Sequence, residues 1–146
     1  MVIMSKFAET LSALMEEHTL NAPALAKLLK TDRTNITRYL RAERLPNYQD
    51  FVKLIEFFNV SADVLLGRMD YCNYQKFRPV QPFGTTLYHI LNETKTTQYR
   101  VIKDLKISQA TMYFWLRNNR LPTIENLDKL ADYLDVTVDY LLGRIS

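Results

Sequence analysis

The chain has 146 residues, 47% of them hydrophobic and 24% charged, with a formal net charge of +3, which is the composition of an ordinary soluble globular protein. No window approaches the ~18 apolar residues of a membrane span, and Met1–Lys6 is too short to hold the apolar segment of a secretory signal. One cysteine, Cys72, excludes an internal disulfide and fits a reducing compartment such as the cytoplasm, while three glycines and five prolines leave little room for hairpins.

The sequence says the same thing twice. Shifted by 76 places, Phe7–Arg68 lies on Phe83–Arg144 without a gap, with roughly a third of the pairs identical. A unit of this length exceeds the ~20–50 residues of a solenoid repeat and is long enough for a small helical domain with its own core. The expectation is an all-α chain of two modules, residues 1–68 and 83–146, joined by a linker at 69–82.

In the first module Phe7, Leu11, Leu14 and Met15 share one helical face. Asn21 is placed to cap a second helix with Pro23 in its first turn and Leu25, Ala26 and Leu29 inside. Asp32 caps a third, running from Arg33 to about Arg41, with Ile36 and Leu40 inward. Asn47 caps a fourth that buries Phe51, Leu54, Ile55 and Phe58; Ser61 begins a short fifth, and Gly67 suits the left-handed position beyond its end. The segment 69–82 contains Tyr71, Tyr74, Phe77, Pro79 and Pro82 but no glycine, so it reads as a stretch that packs partly on a module or a partner rather than as a flexible tether. Fully extended it would reach about 45 Å, more than the ~34 Å between successive major-groove faces of B-DNA. The second module repeats the pattern: Phe83, Leu87, Ile90 and Leu91 form the first buried face, Thr97, Ser108, Thr123 and Thr137 cap the next four helices, and Gly143 closes the last.

Charge is unevenly placed. Lys30, Arg33, Arg38, Arg41 and Arg44 cluster in the middle of module one, and Arg100, Lys103, Lys106, Arg117 and Arg120 in the middle of module two, whereas Glu125, Asp128, Asp132, Asp135 and Asp139 crowd the last part of the second. A basic middle of this kind suits phosphate; solvated helix faces are the plainer reading.

The block from Leu25 to Tyr39, followed by Arg44-Leu45-Pro46, resembles the lambda-repressor-like helix-turn-helix family, the Cro/CI or Xre group of bacterial and phage regulators. So does Thr97-Gln98 with Ile107–Trp115 and Arg120-Leu121-Pro122, and both Leu-Leu-Gly-Arg endings are similar to that family's close. The resemblance implies two tandem five-helix domains and a double-stranded DNA partner. Arg33, Thr34, Thr37 and Arg38 in module one, and Gln109, Ala110, Tyr113 and Phe114 in module two, would face base edges, where an arginine can donate two hydrogen bonds to guanine. Lys30, Asn35, Arg41, Arg44, Gln98, Lys106, Arg117 and Arg120 would lie at the sugar–phosphate backbone. Where the family usually has glycine between its second and third helices this chain has Lys30 and Lys106, which implies a left-handed lysine or an altered turn. Ala22 stands where the family often has a phosphate-contacting glutamine.

Three readings of Tyr113 and Phe114 stand open: contact with thymine methyls or unpaired bases, a protein interface or homodimer contact, and burial beside Trp115. The alternative to a DNA-binding regulator is therefore a protein-interaction protein on the same fold, antitoxin-like or an inhibitor encoded by a phage, with RNA binding a third option. An enzyme is not expected. His18 and His89 lack metal-ligand spacing, there is no glycine-rich phosphate loop, and neither a cofactor nor a small-molecule ligand is implied.

Overall fold

The computed structural model describes residues 2–71 and 76–146, so the expectations resting on Met1, Cys72 and Tyr74 lie outside the described residues. The described residues form ten α-helices and no strand, and the chain divides into two compact units, Met1–Lys76 and Phe77–Ser146. The first holds α1 (Val2–Glu17), α2 (Ala22–Leu29), α3 (Arg33–Leu40), α4 (Tyr48–Phe58) and α5 (Ala62–Leu65). The second holds α6 (Phe83–Glu93), α7 (Gln98–Leu105), α8 (Gln109–Leu116), α9 (Ile124–Leu134) and α10 (Val138–Leu141).

Capping side chains start most of these helices. Asn21 accepts from Ala24 N–H at 2.9 Å, Asn47 from Asp50 N–H at 2.8 Å, and Ser61 from both Asp63 and Val64. Thr97, Ser108, Thr123 and Thr137 do the same for α7 to α10. Asp32 departs from expectation: it occupies the N-cap position of α3 but its carboxylate makes no capping bond. At α6 the N-cap is Pro82, which has no side-chain acceptor to offer, and the Asn118 side chain substitutes by accepting from Gly84 N–H at 2.7 Å.

Every helix of the described residues stops in the same way. One residue turns left-handed, and the next N–H reaches back to a carbonyl five residues earlier, the Schellman arrangement. The stops are Thr19, Lys30, Ala42, Asn59 and Gly67 in the first unit, and Lys95, Lys106, Asn118, Asp135 and Gly143 in the second. Representative closing bonds are Leu20 N to Met15 O at 2.8 Å, Thr31 N to Ala26 O at 2.9 Å and Arg144 N to Asp139 O at 2.9 Å. The second set repeats the first at the offset of the sequence repeat. Lys30 (φ 56°, ψ 47°) and Lys106 (φ 56°, ψ 44°) are therefore left-handed lysines, and the turn keeps its shape without glycine.

Each core is built around an edge-to-face aromatic pair that docks the first helix on the third. In the first unit this is Phe7 on Tyr39, with centroids 5.8 Å apart; in the second it is Phe83 on Trp115, at 5.9 Å. Tyr39 displaces Leu40 from its expected inward place, since Leu40 and Leu14 are only half-buried while Ala8, Tyr39 and Tyr48 are buried. Around the pair sit Leu11, Leu25, Ile36, Phe51 and Leu54, with Leu87, Val101, Met112, Leu127 and Leu130 as their counterparts.

The Leu-Leu-Gly-Arg ending has a physical role. Arg68 Nε lies 2.9 Å from Asp63 Oδ1, and Arg144 Nη1 lies 2.6 Å from Asp139 Oδ1. Gly67 and Gly143, at φ 74° and 75°, turn the chain so that each arginine returns to the start of its own short helix. The second pair is almost sealed from solvent, with side chains 1% and 3% exposed, and the Arg144 guanidinium sits 4.2 Å from the Phe77 ring centre. Backbone bonds from Arg78 N to Arg144 O and Gln81 N to Leu142 O, both 2.9 Å, fasten residues 77–81 to the second unit. Residues 77–81 thus belong to the second unit rather than to a linker.

Asp139→Asn leaves the Arg144 charge buried without its counter-ion, and we expect a loss of about 3–5 kcal/mol. Trp115 is the one tryptophan of the chain and lies in the second core, so denaturant titration followed by its fluorescence reads this loss directly. Ala42 is a left-handed stop that bears a Cβ, with φ 57°. Ala42→Gly should stabilise the first unit by about 1 kcal/mol, seen as a rise of about 4–8 °C in its melting by circular dichroism.

Candidate nucleic-acid interface

In the first unit the α2–α3 turn presents the start of α3 outward. Arg33, Thr34 and Arg38 are exposed and Thr37 is half-exposed, on the side opposite the buried Ile36 and Tyr39. The Thr37 hydroxyl donates to the Arg33 carbonyl at 3.0 Å, which fixes its rotamer against the helix. Asn35 is part of a chain of contacts: it donates to Thr31 Oγ1 at 3.3 Å and accepts from Arg44 Nη1 at 3.3 Å. It therefore works first as a holder of Arg44, drawing a side chain nine positions away up to the first turn of α3. Lys30, Arg41 and Arg44 complete an exposed basic arc with Arg33 and Arg38. None of these five cations is ion-paired with a carboxylate among the described residues. Their charge is available to a polyanion.

The second unit uses the same frame for a different surface. Gln109 and Ala110 are exposed at the start of α8, Tyr113 is 49% exposed, and Phe114 is half-buried. Met112 and Trp115 take the inward positions, so Tyr113 is not a core residue. Its ring carries the Arg117 guanidinium 3.6 Å above the centroid, and Arg120 lies 5.0 Å from the centre of Phe114. The two arginines expected at the sugar–phosphate backbone thus sit on aromatic faces, a stacking worth about 0.5–1 kcal/mol at exposed sites. Gln98, exposed at the first position of α7, joins Tyr99, Gln109, Tyr113 and Arg117 around an open groove of about 490 Å³ floored by Ile102 and Met112. Lys106 is exposed at the left-handed turn.

With this geometry in hand, comparison with known families is decisive. Residues 86–146 match the Cro/C1-type HTH DNA-binding domain, and residues 11–65 match the helix-turn-helix family. The chain is a tandem pair of Cro/C1-type helix-turn-helix domains. No curated protein and no solved structure matches it. In each domain the matched segment includes the second and third helices and the turn between them, which places Arg33–Arg38 and Gln109–Phe114 on the third helix of its domain.

Elsewhere on these domains, the described residues contain no group of three or more His, Cys, Asp or Glu that could hold a metal ion. His18 is exposed, with Nδ1 2.9 Å from the Leu14 carbonyl. No helix of the described residues is long and apolar enough to cross a membrane. The sequence reading did not single out Tyr88 and Tyr99 of domain 2, which are 55% and 69% exposed. Their signal was available in the repeat, because domain 1 carries Ser12 and Pro23 at the same places.

Behind the exposed face of α3, Tyr39 is pushed up to about 12 by burial first and then by the Asp50 charge, while the Arg44 charge pulls the other way. Tyr48 is pushed up to about 12 by burial and Glu56. Both phenols are held neutral by the fold, so their contribution is complete below pH 10 and is lost as pH rises from 10 towards 12. That amounts to about 2–3 kcal/mol per tyrosine at most. In domain 2, Tyr133 and Tyr140 are also raised, chiefly by hydrogen bonds to Asp104 and Glu93, but they lie near the surface, where screening weakens the effect. In alkali domain 1 should therefore unfold first, with the circular dichroism falling before Trp115 fluorescence changes.

Proposed function

We propose that this chain is a sequence-specific, double-stranded-DNA-binding transcriptional regulator of bacterial or phage origin. It works in the cytoplasm and represses by occupying its site, with domain 1 the stronger reader. The observation that carries this reading is the exposed start of α3, where Arg33, Thr34 and Arg38 stand within an arc of cations that have no acidic partner among the described residues. A helix presented in this way enters the major groove with its first-turn side chains at base edges. Arg33 and Arg38 are the candidates for guanine, Thr34 and the Thr37 methyl for thymine, and Lys30, Arg41 and Arg44 for phosphate. Asn35 serves the phosphate contact indirectly, through Arg44.

Domain 2 adds Gln98, Gln109 and Ala110 with Tyr113 and Phe114, a set that shares no reading residue with Arg33, Thr34, Thr37 and Arg38. Two such faces on one chain favour unlike half-sites. Tethering supplies the second contact at high local concentration, so two weak contacts combine into useful affinity.

Selection of bound sequences from a random duplex pool at two salt concentrations tests this. We expect an enriched, non-palindromic motif. Arg33→Ala and Arg38→Ala should each relax one position of it by about 1–3 kcal/mol. Arg41→Ala should instead weaken all sequences alike and reduce the salt slope by about one. A perfect palindrome would favour dimerisation through domain 2. The second reading, a protein-interaction protein, rests on Tyr113 and Phe114 under their arginines, since aromatic and arginine side chains are enriched at interfaces. It predicts no enriched motif, and partner binding that survives the Arg33 and Arg38 changes but fails with Tyr113→Ala or Phe114→Ala in a pull-down.

A further inference from the structure

Three tyrosine rings of domain 2 stand in solvent: Tyr88, Tyr99 and Tyr113, at 55%, 69% and 49% exposure. The fold does not require them. At the same register, on the same five-helix frame, domain 1 has Ser12, Pro23 and Thr37. Aromatic surface left in water at three places, where a sister domain manages without it, points to a ligand that covers it.

The rings are also placed together. Tyr99 and Tyr113 border the groove of about 490 Å³ between α7 and α8. Tyr88 borders a second groove of about 340 Å³, which runs along the end of α6 and the start of α7. Gln98 lines both, so the two grooves adjoin. Their polar lining consists of amides and hydroxyls, including Gln98, Gln109 and Asn92, with Arg117 in one and Lys95 in the other. No carboxylate lines either groove.

We propose that this face of domain 2 binds single-stranded DNA, stacking unpaired bases on Tyr88, on Tyr99 and beside the Arg117–Tyr113 stack. The chemistry selects this occupant. Aromatic rings interleaved with amides and cations, and free of acids, match a polyanion whose bases have bare faces. In a duplex those faces are covered by neighbouring pairs, and an edge-on ring can reach little more than a thymine methyl. The amides of Gln98, Gln109 and Asn92 can donate and accept at once, which is what the pairing edge of an unpaired base presents. Lys95 and Arg117 at the groove margins match phosphate. The inference goes beyond duplex reading by domain 1 and does not depend on Arg33 or Arg38.

The test is fluorescence anisotropy of the full chain with a labelled oligothymidylate of about 12 nucleotides, which forms no duplex and falls within the usual site size. Tyr99→Ala is the decisive variant because Tyr99 is the most exposed of the three; Tyr88→Ser and Tyr113→Thr install the residues that domain 1 carries. Unchanged circular dichroism and Trp115 fluorescence will establish that each variant is folded. We expect Tyr99→Ala to weaken oligothymidylate binding roughly 5- to 150-fold, the range of one lost base stack, and the loss to persist at high salt. Arg33→Ala/Arg38→Ala should leave this binding intact while abolishing the duplex motif. The proposal is overturned if the wild type does not bind the oligonucleotide, or if folded Tyr99→Ala and Tyr113→Thr bind it as well as wild type. Tighter binding of the matching oligouridylate would overturn it in favour of RNA.

Discussion

Ten short helices depend on ten residues that turn the wrong way. Helices of four to sixteen residues are marginal in isolation, so each must be stopped sharply and folded back onto its neighbours within a few residues. A left-handed residue followed by a backbone bond to a carbonyl five places earlier does this at every junction. Only two of the ten are glycine; the rest accept the strain of a side chain in the left-handed region. At the junction ahead of the third helix of each domain the residue is lysine, which has a compensation. Its charge lies at the C-terminal end of the preceding helix, where the dipole favours a cation, and on the side from which phosphate would approach.

Because these stops recur at one constant offset, the two domains share a frame and differ in what they hang on it. Domain 1 presents free cations and hydroxyls around the start of α3. Domain 2 presents rings, amides and arginines laid over the rings. The two outward faces differ in chemistry, while a buried aromatic pair and the Asp–Arg clasp at the end of each domain are kept.

Much of this was legible in the sequence, and the reasons differ by element. Helix starts could be read because a capping side chain acts on its own neighbourhood: Asn21, Asn47, Ser61 and four residues of domain 2 cap as their position implies. Asp32 stands in the right place but makes no bond, because position permits a cap without enforcing one. The helical pattern points Leu40 inward, but Tyr39 takes the core position, its phenol accommodated by donating to Asp50 at 3.4 Å. The Asp139–Arg144 clasp was hidden for another reason. Spacing showed an acid early in a short helix and an arginine after a glycine, but only the turn at Gly143 brings them within 2.6 Å. Residues 77–81 read as linker in the sequence because their bonding partners, Leu142 and Arg144, lie some 60 positions away. Of the candidate interface, the residue types and their third-helix positions were readable. The stacking of Arg117 and Arg120 was not, since it depends on rotamers rather than on register.

One contact in domain 2 bears on how such tandem proteins diverge. Gly84 packs so tightly beneath α8 that an added Cβ would come within 2.4 Å of the Trp115 carbonyl and 2.7 Å of that of Leu116. Those are backbone atoms, and they cannot rotate aside. Domain 1 has Ala8 at this register, buried and already carrying that carbon, so α3 cannot seat on α1 at the distance α8 keeps from α6. The third helices of the two domains are therefore not interchangeable parts. Recombination between the halves could still trade the outward residues one by one, but a whole-helix exchange would meet a steric barrier on the hidden side.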